Sequence, residues 1–165
     1  MKIYLDTNAW VRPFEQGDAV VNRQKIAMDE LLVQNFDIFS SKFQFNQFGD
    51  LIRDEPVLDR KLNFQYARDL CEITCPNSTK LHTWVKRESD QLIAKTMMGD
   101  NEDAVHIVIA WLRGAKYFIT ADDELYATKK SLIERKLQTI PPIPGMDTEN
   151  LEIFDPIGFK ALMGF

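Results

Sequence analysis

The sequence has little cysteine, no long apolar run and no surplus of basic charge. Its two cysteines, Cys71 and Cys75, sit four residues apart in a helical pattern. That is not a disulfide framework, and it points to a reduced protein of the cytoplasm. A zinc site would need a second ligand pair, and the chain has no second pair of cysteines. No apolar stretch approaches the roughly 20 residues of a membrane helix. The apolar run after Lys2 is too short for a secretory leader, so no membrane association is expected. Lys and Arg number 20 against 25 Asp and Glu, for a formal net charge of -5. That balance excludes coating DNA by bulk charge. It leaves room for a nuclease, in which a divalent cation neutralises a local acidic cluster. Internal repeats, low-complexity segments and domain boundaries are also missing. With 165 residues the chain is expected to form one domain, 1–165.

What is present is an alternation of strands and helices. Lys2 to Leu5 is a short apolar run fit for a buried strand. Asp18 is placed to cap a helix from Ala19 to about Asn35, with Ile26, Leu31 and Leu32 on its inner stripe. Asp37 to Phe39 reads as a second strand closed by Ser40 and Ser41, and a helix follows from about Lys42 to Arg53. Pro56 opens a further helix, Val57 to about Ile73. An extended piece near Leu81 and a helix from about Trp84 to Met98 come next. The stretch "GDNEDAVHIVIAWLRGAKYFIT" is a helix apolar nearly all round, stopped by Gly114 and followed by a strand from Lys116 to Thr120. A helix from about Asp123 to Leu137, an extended "IPPIPG", a strand from Leu151 to Phe154 and a short last helix complete the chain. The alternation predicts a three-layer α/β/α fold with a mostly parallel sheet.

In such sheets, sites form at the carboxyl ends of the strands. Asp6 follows the first strand, and Asp122 and Asp123 follow "KYFIT". Asp103 lies in the first turn of the buried helix before that strand. A crossover helix runs antiparallel to its strands, so its N-terminus lies at the edge where they end. Asp6, Asp103 and Asp122 are therefore expected on one rim. Carboxylates gathered together resist ionising unless a cation sits among them. Mg²⁺ or Mn²⁺ suits oxygen ligands, and such a site activates a water against a phosphodiester. Thr7 and Asn8 are placed to brace Asp6 by hydrogen bonds. Each acid also has a plain structural reading: Asp6 as a turn residue, Asp103 as a favourable charge in the first helical turn, Asp122 or Asp123 as a helix cap.

The pieces "IYLDTNAW", "EDAVHIVIAWLRGAKYFIT" and "TADDEL", in that order, resemble the PIN-domain family, which includes the toxins of the VapBC toxin–antitoxin systems. The resemblance implies a small α/β/α fold and Mg²⁺- or Mn²⁺-dependent endoribonuclease activity that hydrolyses RNA with an activated water. It matches Asp6 to the first acidic position, Asp103 to the third and Asp122 to the fourth. Asp123 stands beside the fourth, and Thr120 falls on a small hydroxyl position. The second acidic position departs from the pattern: "FSSKFQFNQFGDLI" has Gln47 where the family carries glutamate. Glutamine keeps an acceptor oxygen but is a poorer ligand for a hard dication. Asp50 is three residues later on the same helical face, one turn away, and is the candidate to lend the missing charge. The resemblance also implies an antitoxin partner and a homodimer.

Near the expected rim, Trp10 is either a base-stacking ring or a core residue, and Arg12 either a phosphate contact or a solvated side chain. His106 shares the helical face of Asp103 and either meets RNA or packs with one nitrogen bonded. Two functions compete: a metal-dependent ribonuclease, and a weakened or inactive PIN-like domain that binds RNA or a protein. Gln47 is the feature behind the second.

Overall fold

The computed structural model describes residues 1–14, 17–41, 72–74, 101–141, 148 and 150–165. Strand β1, Lys2–Leu5, is the central strand. Its side chains alternate as a strand requires. Ile3 and Leu5 enter one core cluster and Tyr4 the other, all three fully buried. Both faces of the sheet must therefore be covered, and they are. The short helix α1, Thr7–Val11, is followed by a 3-10 turn, Arg12–Phe14. Helix α2, Ala19–Leu32, packs on the same side. Asp18 caps it as expected, accepting from Val20 N at 2.8 Å and Val21 N at 3.1 Å. The Val21 and Val20 donors hold its carboxyl below the usual carboxylate range.

Strand β2, Asp37–Ser41, pairs with β1 on one side, and β3, Glu72–Thr74, pairs with β2 beyond it. Helix α3, Asn101–Leu112, crosses to β4, Tyr117–Ile119, on the other side of β1. Gly114, with φ of 72°, ends α3 as expected. Its left-handed turn lets Ala115 N bond Ala110 O at 3.0 Å. A π-helical segment, Glu124–Lys129, leads into α4, Lys130–Gln138. Strand β5, Glu152–Phe154, and helix α5, Pro156–Met163, finish the chain. The sheet order is β3-β2-β1-β4-β5, and all four pairings are parallel.

The two core clusters lie on opposite faces of this sheet, which makes the three layers. On one face α3 contributes Ala104, Ile107 and Val108 against Tyr4, Phe39 and Phe118. The Tyr4 ring stacks on Phe118 at 5.5 Å and meets Phe39 edge-on at 5.4 Å. On the other face Met28 and Leu31 of α2 and Phe159 of α5 meet Ile3, Leu5 and Ile119. Each fully buried side chain of this size contributes roughly 1.5–3 kcal/mol.

Three expectations are corrected. Ile26 is 55% exposed, while Gln24, Ala27, Met28, Leu31 and Leu32 form the buried stripe of α2. Those five recur at helical spacing, and Ile26 falls off their face. The same helix ends at Leu32, short of Asn35. Glu72–Thr74 is a strand, not the end of a helix, so Cys71 and Cys75 flank β3. Three residues are too few for alternation to show against helical spacing. The helices expected over 42–53 and 84–98, most of that over 57–73, the piece near Leu81 and most of "IPPIPG" lie outside the described residues. No helix among the described residues is long and apolar enough to cross a membrane.

Candidate functional site

Chain order across the sheet reverses at β1. From there β2 and β3 go one way, and β4 and β5 the other. The carboxyl ends of β1 and β4 thus flank the crevice where open α/β sheets bind ligands. Asp6 stands directly after β1, and Thr120, Ala121 and Asp122 directly after β4. The two corners are held at fixed height. Asp6 N donates to Ile119 O at 2.9 Å, and Thr120 N donates to Phe154 O at 3.0 Å, each extending a ladder by one bond.

Asp6 is 3% exposed. Its Oδ1 accepts from Thr7 N at 2.8 Å, and its Oδ2 accepts from Thr120 Oγ1 at 2.9 Å. The carboxylate is therefore oriented from both strands. Thr120 Oγ1 also stands 3.1 Å from Asn8 Oδ1. A hydroxyl has one proton, and the carboxylate is the stronger acceptor. Asn8 Oδ1 meanwhile accepts from Ala121 N at 2.9 Å, and Thr120 Oγ1 accepts from Asp122 N at 3.1 Å. The stretch "LDTN" thus forms one half of a buried polar lock whose other half is "TAD".

Asp103 is half-buried in the first turn of α3. One turn on, His106 Nδ1 and Tyr4 OH share a hydrogen bond at 2.7 Å, with both residues buried. This bond pins α3 to β1. Asp6 lies two residues rimward of Tyr4, about 6.6 Å along the strand. Asp103 lies three residues rimward of His106, about 4.5 Å along the helix. Asp122 Oδ1 accepts from Glu124 N at 2.8 Å and Leu125 N at 3.2 Å, so it also caps the turn that follows. Asp123 is exposed and accepts from Tyr126 OH at 2.9 Å. Burial, and then that donation to Asp123, push the Tyr126 phenol up to about 12. Gln47 and Asp50 lie outside the described residues.

Oxygen donors of this kind suit Mg²⁺ or Mn²⁺ in chemistry. Among the described residues no group of three or more His, Cys, Asp and Glu side chains is placed to hold a metal ion. The described acids therefore supply at most part of a ligand set.

Of the two readings open for Trp10 and for His106, RNA contact or core, the structure takes the core one in both cases. Trp10 is 1% exposed and lies with Ile3, Leu5 and Met28, so its ring does not face a base. His106 is likewise 1% exposed, with its Nδ1 turned to Tyr4. Spacing alone does not separate these readings, because a helix that starts at the rim presents its early residues to both rim and core. Arg12 is half-buried, and its Nη2 donates to Ala121 O at 3.0 Å, bracing the loop that carries Asp122. Tyr126 and the π-helical segment are not legible in the sequence. "DDELYATKK" reads as ordinary helix, and a hydroxyl three residues after an acid is its one faint signal.

No protein-family model matches the chain, and no curated protein matches it. Among solved structures the chain is similar to one in the crystal structure of VapBC2 from Rickettsia felis bound to a DNA fragment from their promoter. The TM-score is 0.56 and the identity 16%, over 94% of this chain and 98% of that one. At that identity the likeness is one of fold, and it extends over nearly the whole of both chains. The three-layer α/β/α arrangement with a parallel central sheet expected from the sequence is the arrangement the chain adopts.

Proposed function

We propose that this chain is an endoribonuclease of the PIN type that hydrolyses RNA phosphodiester bonds with a divalent ion, and that it is the toxin of a toxin–antitoxin pair. The observation that carries the reading is the Asp6 carboxylate. It is buried at the switch point of a parallel sheet and oriented from β1 and β4 together. A carboxylate that served as a turn residue alone would have no need of the second strand. Asp6, Asp103 and Asp122, with Asp123 beside them, are the acids that would contribute to a Mg²⁺ or Mn²⁺ site, each as part of a ligand set that the described acids do not complete among themselves. When bound, the ion supplies an activated water and charge stabilisation at the leaving oxygen. Thr7 N and Thr120 Oγ1 keep the Asp6 carboxylate in one orientation, and Asn8 holds the Ala121 amide beside it. Arg12 holds the Ala121 carbonyl and with it the loop bearing Asp122.

The similarity to a VapBC2 chain supports the fold behind this reading and suggests an antitoxin as partner. A homodimer is part of the same proposal. The test is incubation of the purified chain with a panel of single-stranded and structured RNAs in Mn²⁺ and in Mg²⁺. Cleavage that requires either metal is the expected result. An inert protein under all of these conditions would remove the proposal.

Gln47 favours a second reading, a PIN-like domain with weakened catalysis that binds RNA or a protein. The described acids, which form no group of three, are compatible with it. Calorimetric titration of Mn²⁺ into wild type and Gln47→Glu separates the two. Tight binding by wild type supports the enzyme. Binding that appears only in Gln47→Glu supports the module.

A further inference from the structure

The segment that follows the acid rim is a π-helix, Glu124–Lys129. In an α-helix, residues five apart point about 140° away from each other, at 100° per residue. In a π-helix the i→i+5 bond brings residue i+5 over residue i. Glu124 and Lys129 are five apart, and Lys129 Nζ stands 2.7 Å from Glu124 Oε1. The Lys129 side chain is 16% exposed and that of Glu124 69%. The lysine stem is thus seated on the protein, and the carboxylate reaches to it. The first two N–H groups of the segment, on Glu124 and Leu125, are those held by Asp122 Oδ1. Its third residue, Tyr126, donates to Asp123. Downstream, α4 is anchored by Ile133 and Leu137, which are 0% and 2% exposed.

We propose that Glu124 and Lys129 form a clasp that selects the π register of this turn and thereby acts as a positioning pair for Asp122 and Asp123. Rewinding the turn to α would change its phase by about one residue, roughly 100°. Because α4 is fixed in the core, the rotation falls on the acid side. The Asp122 cap and the Tyr126 contact span only two or three residues, so they would turn with the segment and re-aim both acids. The register of the turn is a property of this chain alone. The consequence for RNA cleavage rests on the function proposed above.

The experiment compares wild type with Lys129→Met, Glu124→Gln and Lys129→Arg by NMR of the full, isotope-labelled chain. Lys129→Met keeps the apolar stem and removes the charge, so it separates the clasp from packing. The i→i+5 contacts across 124–130 are expected to weaken in Lys129→Met and Glu124→Gln. Amide exchange at Lys129 and Lys130, which donate the i→i+5 bonds of the π turn, is expected to quicken roughly two- to fivefold in both. Lys129→Arg should retain the wild-type pattern. Unchanged contacts and exchange in Lys129→Met and Glu124→Gln would overturn the clasp. In RNA cleavage, Lys129→Met should lower kcat with KM little changed, and Lys129→Arg should restore it. A lost register with unaltered kcat would overturn the positioning role. A wild type inert toward RNA would overturn the functional reading instead, and the NMR comparison would then decide the clasp.

Discussion

Asp6 and Asp155 begin alike and end differently. Each follows a strand of the same parallel sheet, has an extended backbone, and precedes a helix. Their φ and ψ angles are -70° and 159° for Asp6, and -78° and 162° for Asp155. Asp155 turns its Oδ1 to Gly158 N at 3.0 Å, the third residue of its own helix, as an N-cap does. A Cβ at Gly158 would stand 2.6 Å from that oxygen, so the glycine leaves room for the cap. Asp6 turns its Oδ1 to Thr7 N, the first residue of α1, and its Oδ2 crosses to Thr120 at the end of the neighbouring strand. The same residue type at the same kind of corner is thus a local cap at the edge of the sheet and a cross-strand anchor at its centre. The difference is set by sheet order, since the centre has a second strand end turned toward it with a hydroxyl.

The comparison can be sharpened by the missing acid. Gln47→Glu should raise Mn²⁺ affinity by about tenfold or more if Asp6 is a metal ligand. Asp155→Gln should leave Mn²⁺ affinity unchanged in the same calorimetric titration. Next in size is Thr120→Val. It removes the hydroxyl that Asp6 Oδ2 accepts from and that Asp122 N donates to. A loss of about 1–3 kcal/mol in denaturant unfolding is expected, because buried groups are left without their partner. RNA cleavage should fall with it. Asp155→Ala should cost about 1 kcal/mol of stability and leave cleavage intact. Loss of cleavage in that variant would break the distinction between the two aspartates.

The smallest effect concerns Tyr126. Its folded-state phenol is raised to about 12 from an ordinary value of 10.0. The folded chain therefore holds this proton more tightly than the unfolded one. The associated stability is complete below about pH 10 and is lost as pH rises through 12. Spectrophotometric titration of wild type against Tyr126→Phe should show one phenol ionising late. In Asp123→Asn that ionisation should move down, because the carboxylate that opposes the phenolate is gone.

Legibility follows locality. The Asp18 cap and the Gly114 stop can be read directly, since each depends on a few adjacent residues. The common rim of Asp6 and Asp122 can be read from alternation and strand direction. Ile26 misleads because a single apolar residue carries less weight than the five-residue stripe that includes the polar Gln24. Trp10 and His106 have polar atoms that suit a site, and their burial is decided by the sheet and helices packed around them. That information is not local. Nor is the cross-strand bond from Thr120 to Asp6, which joins residues 114 apart. The π register has no readable signal, because Glu124 and Lys129 meet only after the turn has left the α-helical phase.

The most direct test sets the two aspartates side by side in one assay of metal-dependent RNA cleavage. Asp6→Asn preserves shape and removes charge, and it should reduce cleavage by about a hundredfold or more. Asp155→Asn, the same change at the matching corner, should cleave like wild type. Equal cleavage by Asp6→Asn and wild type would contradict the account.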